Sequence, residues 1–237
     1  MKNLLRIAIC AGALLFPALC YAQAEGTVID KSLVPASADD LQKFVPRGWK
    51  IEEQIKGDLN ADSVADYALK LVEDKPDKDA SGDPTERYRA VVIVLQEAGG
   101  KLTRAAVAAK LLQCTRCGGA FYGVVETPTT LEIKNGIIEV NQDHGSRNLT
   151  NTYYKFRYDA ATKQFVLIGF DYADADRLTA SVVSESTNYL TGVRITTRGK
   201  GDRDVKTRTV IPKKKISIED VGYEKFEESA SKRLGLN

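Results

Sequence analysis

Oxygen-bearing side chains recur within one short stretch of the chain, at Asp58, Asn60, Asp62 and Asp66. Hard divalent cations, calcium above all, prefer such oxygen ligands, and alternate positions of a tight loop direct several of them inward. A backbone carbonyl, here that of Val64, commonly joins the set. Three carboxylates this close repel one another unless a cation lies among them. The spacing therefore predicts a calcium site, and the alternative is a metal-free turn in which Asp and Asn bond their own backbone.

Two short apolar runs flank this loop, at residues 49–51 and 67–72, and both have the pattern of strands rather than helices. An EF-hand is disfavoured, because its sixth position needs glycine and its twelfth needs glutamate, where this chain has Ser63 and Leu69. The loop is therefore predicted to join two strands, with Asp66 at its ninth position available to close the site.

The pattern D-x-N-x-D-x-x-x-D between two strands resembles the calcium loop of FG-GAP/VCBS-type repeats. With the lead-in at residues 44–49, it is also similar to a group of exported bacterial proteins that carry one such repeat. The resemblance spans residues 44–73 and implies a structural calcium ion. Where loops of that family have glycine, this chain has Ala61 and Ser63.

The first 24 residues have the order of a secretory signal peptide. Lys2 and Arg6 precede an apolar core at residues 7–16, and small residues follow, with cleavage predicted after Ala22 or Ala24. The apolar core is too short for a membrane span. The mature chain is therefore predicted to be periplasmic or extracellular, with one β-rich domain over residues 25–237 and no transmembrane segment.

The charge of the mature chain is balanced. The whole sequence has 34 basic and 32 acidic residues, and two of the basic ones, Lys2 and Arg6, leave with the signal peptide. A near-neutral chain gives no general attraction to nucleic acid or to a membrane surface. Nucleic acid is therefore not expected as a partner.

Two cysteines remain after export, Cys114 and Cys117, because Cys10 and Cys20 belong to the signal peptide. In an oxidising compartment a C-x-x-C pair is predicted to form a disulfide. The alternatives are thiol redox chemistry, which would place the pair at a helix N-terminus, and a metal site. A closed zinc site would need further ligands beyond the two thiolates and the single His144.

The rest of the chain has the pattern of an all-β protein of mainly antiparallel sheets, either a sandwich or propeller-blade-like. Residues 90–95 form a continuous β-branched run, typical of a central strand covered on both faces. Asn135-Gly136 between alternating runs predicts a hairpin. Further strands are predicted at residues 102–112, 131–134, 137–140, 153–158, 164–171, 179–184, 192–197 and 205–211.

Two helices and one exposed loop complete the prediction. A short N-terminal helix is signalled by Ser37 as N-cap and ends before Pro46. Residues 74–84, rich in charge and containing proline and glycine, are predicted to be an exposed loop. Apolar residues between 218 and 236 approach helical spacing.

Several other groups have both a functional and a structural interpretation. His144 and Ser146 could be the base and nucleophile of a hydrolase, but they lie in a turn-like stretch without a G-x-S-x-G elbow. Asp171, Asp174 and Asp176 have the pattern of a solvated turn, or of a weak cation site.

A basic stretch between residues 194 and 215 could bind anionic glycan or lipid headgroups, or protect strand edges against aggregation, which is the preferred interpretation. It contains Arg194, Arg198, Lys200, Arg203, Lys206, Arg208, Lys213, Lys214 and Lys215. Tyrosines could stack on sugars, although half-buried packing is more usual. These are Tyr122, Tyr153, Tyr154, Tyr158, Tyr172 and Tyr189.

Together these patterns favour an exported, calcium-stabilised binding module that is not an enzyme, with a protein or an envelope glycan as partner. Two other classes stay open: a secreted hydrolase whose site the sequence does not assemble, and a periplasmic inhibitor or immunity factor. The sequence leaves the oligomeric state open.

Overall fold

The computed structural model describes residues 28–200 and 203–236. The predicted signal peptide, its core and both predicted cleavage points lie outside these residues. Within the described part of the chain, no helix is both long and apolar enough to cross a membrane.

The first half of the chain forms a five-stranded antiparallel sheet. Its strands are β1 (Ser37–Ala38), β2 (Trp49–Gly57), β3 (Asp66–Glu73), β4 (Arg89–Gln96) and β5 (Leu102–Ala108). Their order across the sheet is β1-β5-β4-β3-β2. The predicted exposed loop after β3 is confirmed, since residues 74–83 are all exposed.

The second half forms a seven-stranded antiparallel sheet whose strands lie in sequence order. They are β6 (Thr129–Lys134), β7 (Ile137–Gly145), β8 (Asn148–Asp159), β9 (Gln164–Asp176), β10 (Ser181–Asn188), β11 (Val193–Lys200) and β12 (Arg203–Val210). Asn135 and Gly136 both have positive φ, 51° and 73°, as the predicted hairpin turn requires. The predicted all-β fold is therefore confirmed as two antiparallel sheets, and most strands run further than predicted.

Two hydrophobic cores lie on opposite faces of the five-stranded sheet. Val91 and Ile93 of β4 point into the core that this sheet shares with the seven-stranded one. Val92 and Val94 point into a second core on the other face, which the segment before β2 covers with Val34 and Phe44 among others. The prediction that residues 90–95 form a strand covered on both faces is confirmed.

The N-terminal helix is shorter than predicted and begins later. Ser37 is not an N-cap, because it pairs with Thr103 in β1 as an extension of the sheet. Asp40 is the N-cap instead: its carboxylate accepts a hydrogen bond from the amide of Gln42, at 2.6 Å. The helix is a single 3₁₀ turn, Leu41–Phe44. Strand pairing by Ser37 thus moves the helix start to the next capable side chain.

The second acidic run is not a turn. Strand β9 continues to Asp176, because the carboxylates find partners on the strands beside it. Asp174 is buried and accepts hydrogen bonds from Asn148 Nδ2, at 2.7 Å, and Thr150 Oγ1, at 3.3 Å. Arg147 forms an ion pair with Asp176, at 2.6 Å. Cross-strand partners of this kind are invisible in a local sequence window.

The predicted C-terminal helix is confirmed as α1 (Tyr223–Leu234), which ends at Gly235 in the left-handed conformation. Phe226, Ala230 and Leu234 contribute to the main core. The polar contact with the sheet centres on Glu185 of β10, whose side chain is completely buried.

Two arginines compensate the buried charge of Glu185. Arg233 of α1 donates two hydrogen bonds to it, at 2.9 and 2.6 Å. Arg194 of β11 lies 3.3 Å from the same carboxylate. Because a buried carboxylate without a partner is costly, these contacts fix the position of α1 against the sheet.

We expect Arg233→Ala to lower the free energy of unfolding by about 2–3 kcal/mol, since Glu185 stays buried and keeps Arg194 and the hydroxyl of Thr187 but loses its two hydrogen bonds from Arg233. Chemical denaturation measures this change. Lys232→Ala removes the neighbouring exposed cation of the same helix and should cost less than about 0.5 kcal/mol. Equal effects of the two substitutions would contradict the proposed role of Arg233.

Candidate functional site

The acidic loop joins β2 to β3 and is organised by its own side chains. Asp58 accepts hydrogen bonds from the amides of Ala61, at 2.7 Å, and Ser63, at 3.0 Å. Ala61 and Ser63 both adopt the left-handed backbone conformation, with φ of 63° and 68°. This conformation favours glycine, so the hydrogen bonds to Asp58 stabilise the turn where this chain has Ala61 and Ser63.

Asn60 and Asp62 extend the same turn. Asn60 Oδ1 accepts from the amide of Asp62, at 3.1 Å, and Asp62 Oδ1 accepts from the amide of Val64, at 2.7 Å. Asn60 Nδ2 also donates to Asp62 Oδ2, at 2.9 Å. The loop therefore brings the side chains of three predicted ligands, Asp58, Asn60 and Asp62, into one connected turn at the protein surface.

Asp66, the fourth side-chain ligand in the prediction, makes different contacts from these three. It is completely buried, and its two oxygens accept from the amides of Leu59 and Gln96, at 2.8 and 2.9 Å. Burial raises the pKa of Asp66, and the negative charges of Asp62 and Asp58 raise it further, while the two amide bonds oppose the shift. Asp66 thus ties the loop to the end of β4.

Within residues 28–200 and 203–236, no group of three or more His, Cys, Asp or Glu side chains is arranged to hold a metal ion. In the described arrangement the side-chain oxygens of the loop bind loop amides. Asp58 and Asn60 also line an open cleft of about 510 Å³, whose opposite wall includes Asn135 and Tyr158. A cation could reach the loop from this cleft.

The two cysteines lie in the long connection between β5 and β6 and form the predicted disulfide, with their Cα atoms 5.1 Å apart. Cys114 is buried, and Tyr223 of α1 donates a hydrogen bond to Cys117 Sγ, at 3.5 Å. The pair occupies a turn rather than a helix N-terminus, which is the position that redox chemistry would have required.

His144 and Ser146 do not act on each other in this structure. His144 Nε2 lies 2.8 Å from Glu227 Oε2 of α1. Ser146 is exposed in the turn between β7 and β8, where its amide donates to the carbonyl of Asn148. The histidine is therefore a second polar contact between helix and sheet, and the hydrolase interpretation receives no support from the geometry.

The environment of His144 is acidic. The hydrogen bond to Glu227 is the main cause of a raised pKa of His144, and Asp143 and Asp174 contribute in the same direction, while burial opposes them. The protonated imidazole is the form that this environment stabilises.

The basic stretch divides into two groups. Arg194 and Arg198 point inward: Arg194 donates to Thr187 Oγ1, at 3.1 Å, and Arg198 donates to the carbonyl of Leu234. Lys206 and Arg208 lie on β12, every residue of which is exposed.

The tyrosines follow the packing interpretation, since Tyr154 and Tyr172 are buried in the main core and the other four are half-buried.

Sequence reasoning missed Glu185 as the anchor of α1. One signal was available, because Val183, Glu185 and Thr187 alternate along one face of β10. A lone Glu at an inward-facing position of a strand needs a cation opposite it.

Comparison of the chain with protein-family models, with curated proteins and with solved structures finds no match in any of the three.

The pH dependence of stability tests the role of His144. The pKa of His144 in the folded protein lies above its unfolded value of about 6.5. The stabilisation by the charged His144–Glu227 pair is therefore complete below about pH 6.5 and is lost as the pH rises through the folded-state pKa. His144→Gln should therefore cost more stability near pH 5.5 than near pH 8.5, as measured by urea denaturation.

Glu227→Gln removes the same charge pair from the other side, so it should reduce the pH dependence in the same way. If the cost of either substitution were the same at both pH values, the pair would not be charged in the folded protein.

Proposed function

We propose that this chain is an exported, calcium-stabilised β-rich binding module whose partner is a negatively charged protein or envelope glycan. The observation that carries the proposal is strand β12. It ends the seven-stranded sheet, and all eight of its residues are exposed. Among the described residues no strand pairs with its outer edge.

The chemistry of β12 supports a partner with negative charge. Arg203, Lys206 and Arg208 stand against the single acidic residue Asp204. No carboxylate lies within ion-pair distance of Lys206 or Arg208 in the described parts of the chain, so both charges are available to a partner. Uncompensated cations on one strand attract an anionic surface over about a Debye length, roughly 8 Å at physiological salt.

Apolar side chains accompany these charges. Val210 of β12 and Ile195 of β11, which lie on the same face of the sheet as Lys206 and Arg208, are 73% and 41% exposed. A surface that only protected an edge from aggregation would gain nothing from exposed apolar side chains beside the cations. Mixed apolar and cationic contacts are instead what a binding surface offers.

Calcium would serve this module as a structural ion. Asp58, Asn60 and Asp62 would supply side-chain oxygens and Val64 its carbonyl, and the ion would offset the mutual repulsion of the loop carboxylates. Asp66 would contribute through lone pairs that its two amide bonds leave free.

The ribbon formed by β11 and β12 can be tested with defined anionic polymers. We expect poly-glutamate or polygalacturonate to bind the mature protein in a salt-dependent way, and Lys206→Glu with Arg208→Glu to weaken binding by about tenfold or more. Biolayer interferometry measures the affinity. Lys110→Glu with Lys225→Glu makes the same charge change at exposed positions away from the ribbon and should have little effect.

The edge-protection interpretation predicts a different result. In that case neither polymer would bind. The Lys206/Arg208 variant would self-associate on size-exclusion chromatography, because the sheet edge would no longer carry the cations that prevent pairing with a second copy. That combination would refute the binding proposal.

The calcium proposal has its own measurement. Millimolar calcium should raise the melting temperature by about 2–8 °C, the shift expected for a ligand well above its Kd in a chain of this size. Asp58→Ala with Asp62→Ala should abolish the shift, whereas Asp79→Ala with Asp83→Ala, in the exposed loop after β3, should keep it. An unchanged wild-type melting temperature would contradict the proposal.

A further inference from the structure

A second cleft, of about 530 Å³, lies at one end of the seven-stranded sheet. It forms where the β8–β9 turn and the β10–β11 turn meet the segment that follows β12. Two backbone hydrogen bonds hold that segment beside the β10–β11 turn and β9: Ile211 donates to Gly192, at 2.9 Å, and Leu167 donates to Ile216, at 2.8 Å. The cleft is thus built by three chain segments and is separate from the outer edge of β12.

The cleft has an apolar floor and aromatic walls. Val166 of β9 is buried beneath it, the next residue, Leu167, points into the main core, and Tyr158 and Tyr189 in its lining are half-buried. The volume falls in the range of about 300–1,000 Å³ that is usual for small-molecule sites. Apolar floors with a few polar groups around them are the usual composition of such sites.

A β-bulge shapes the floor. Phe156 pairs with Leu167 whereas Lys155 pairs with Gly169, which leaves Ile168 as the extra residue of β9. The carbonyl of Ile168 accepts a hydrogen bond from the amide of Tyr189, at 3.0 Å, so the bulge positions that aromatic wall. Bulges bend a strand locally and occur preferentially next to functional sites.

The rim of the cleft is strongly basic. Arg157, Lys213 and Lys214 line it, and within the described parts of the chain none of the three has a carboxylate within 4.0 Å. The one acidic residue of the lining, Asp159, is already paired with Lys215, at 2.5 Å. Three uncompensated cations around an apolar floor create a positive potential that only an anionic ligand would neutralise.

We propose that this cleft binds a small organic anion, one or two sugar rings in size. Arg157, Lys213 and Lys214 hold its phosphate or carboxylate group, and its body lies against Val166 and the two tyrosines. The guanidinium of Arg157 offers two parallel donors to such a group, and each lysine adds a point charge. The site is independent of the ribbon edge and of the proposed macromolecular partner.

Isothermal titration calorimetry with three probes tests the proposal. Glucose 6-phosphate and glucuronate present the two anionic groups on the same ring, and glucose is their neutral control. We expect saturable binding of at least one anion and none of glucose. A preference for glucose 6-phosphate assigns the site to phosphates, and a preference for glucuronate assigns it to carboxylates.

Matched variants locate the binding. Lys213→Ala with Lys214→Ala should weaken anion binding by at least about tenfold, since it removes two charge-assisted contacts. Lys110→Ala with Lys225→Ala removes the same charge at exposed positions that do not line the cleft, and it should leave anion binding unchanged. All four residues are exposed, so neither variant threatens the fold.

Three results would overturn the proposal. These are no saturable binding of either anion up to about 10 mM, equal loss in both double variants, or equal binding of glucose. Failure of the ribbon proposal leaves these results unaffected, because the polymer assay depends on Lys206 and Arg208 and this one depends on Lys213 and Lys214.

Discussion

The fold depends on the burial of β4 on both of its faces. Its side chains alternate between two cores, with Val91 and Ile93 on one side and Val92 and Val94 on the other. A strand of this composition is stable only if something covers each face, since burial of each such side chain contributes about 1.5–3 kcal/mol. The seven-stranded sheet covers one face and the segment before β2 covers the other. The order of layers follows from this requirement.

The seven-stranded sheet meets a different constraint, because part of its inner face is polar. Glu185 is completely buried there, so the chain must bring cations to it. Helix α1 supplies one of these cations, Arg233. A second contact, between Glu227 of α1 and His144, also holds the helix against the sheet. Apolar packing brings the helix to the sheet, and these contacts determine where along the sheet it rests. Charged contacts of this kind contribute specificity of position more than net stability.

Local patterns predicted most of this architecture. The Asn135-Gly136 hairpin, the β-branched run of β4 and the paired cysteines are each determined by neighbours in sequence, and the structure has all three. The predictions of a helix start at Ser37 and of a turn around Asp174 were wrong for the same reason. In both cases the deciding partner, Thr103 or Asn148, is distant in the sequence. The basic cleft could not be predicted either, since three separate segments build it.

One hydrogen-bonded carboxylate gives the acidic loop a property that its sequence does not suggest. Asp66 holds the amide of Leu59 inside the loop with one oxygen and the amide of Gln96 at the end of β4 with the other. A movement of the loop that displaces the Asp66 carboxylate also releases the last residue of the strand on which both cores depend. Displacement of Asp66 therefore disturbs the loop and the end of β4 together, and whatever holds this carboxylate in place stabilises both.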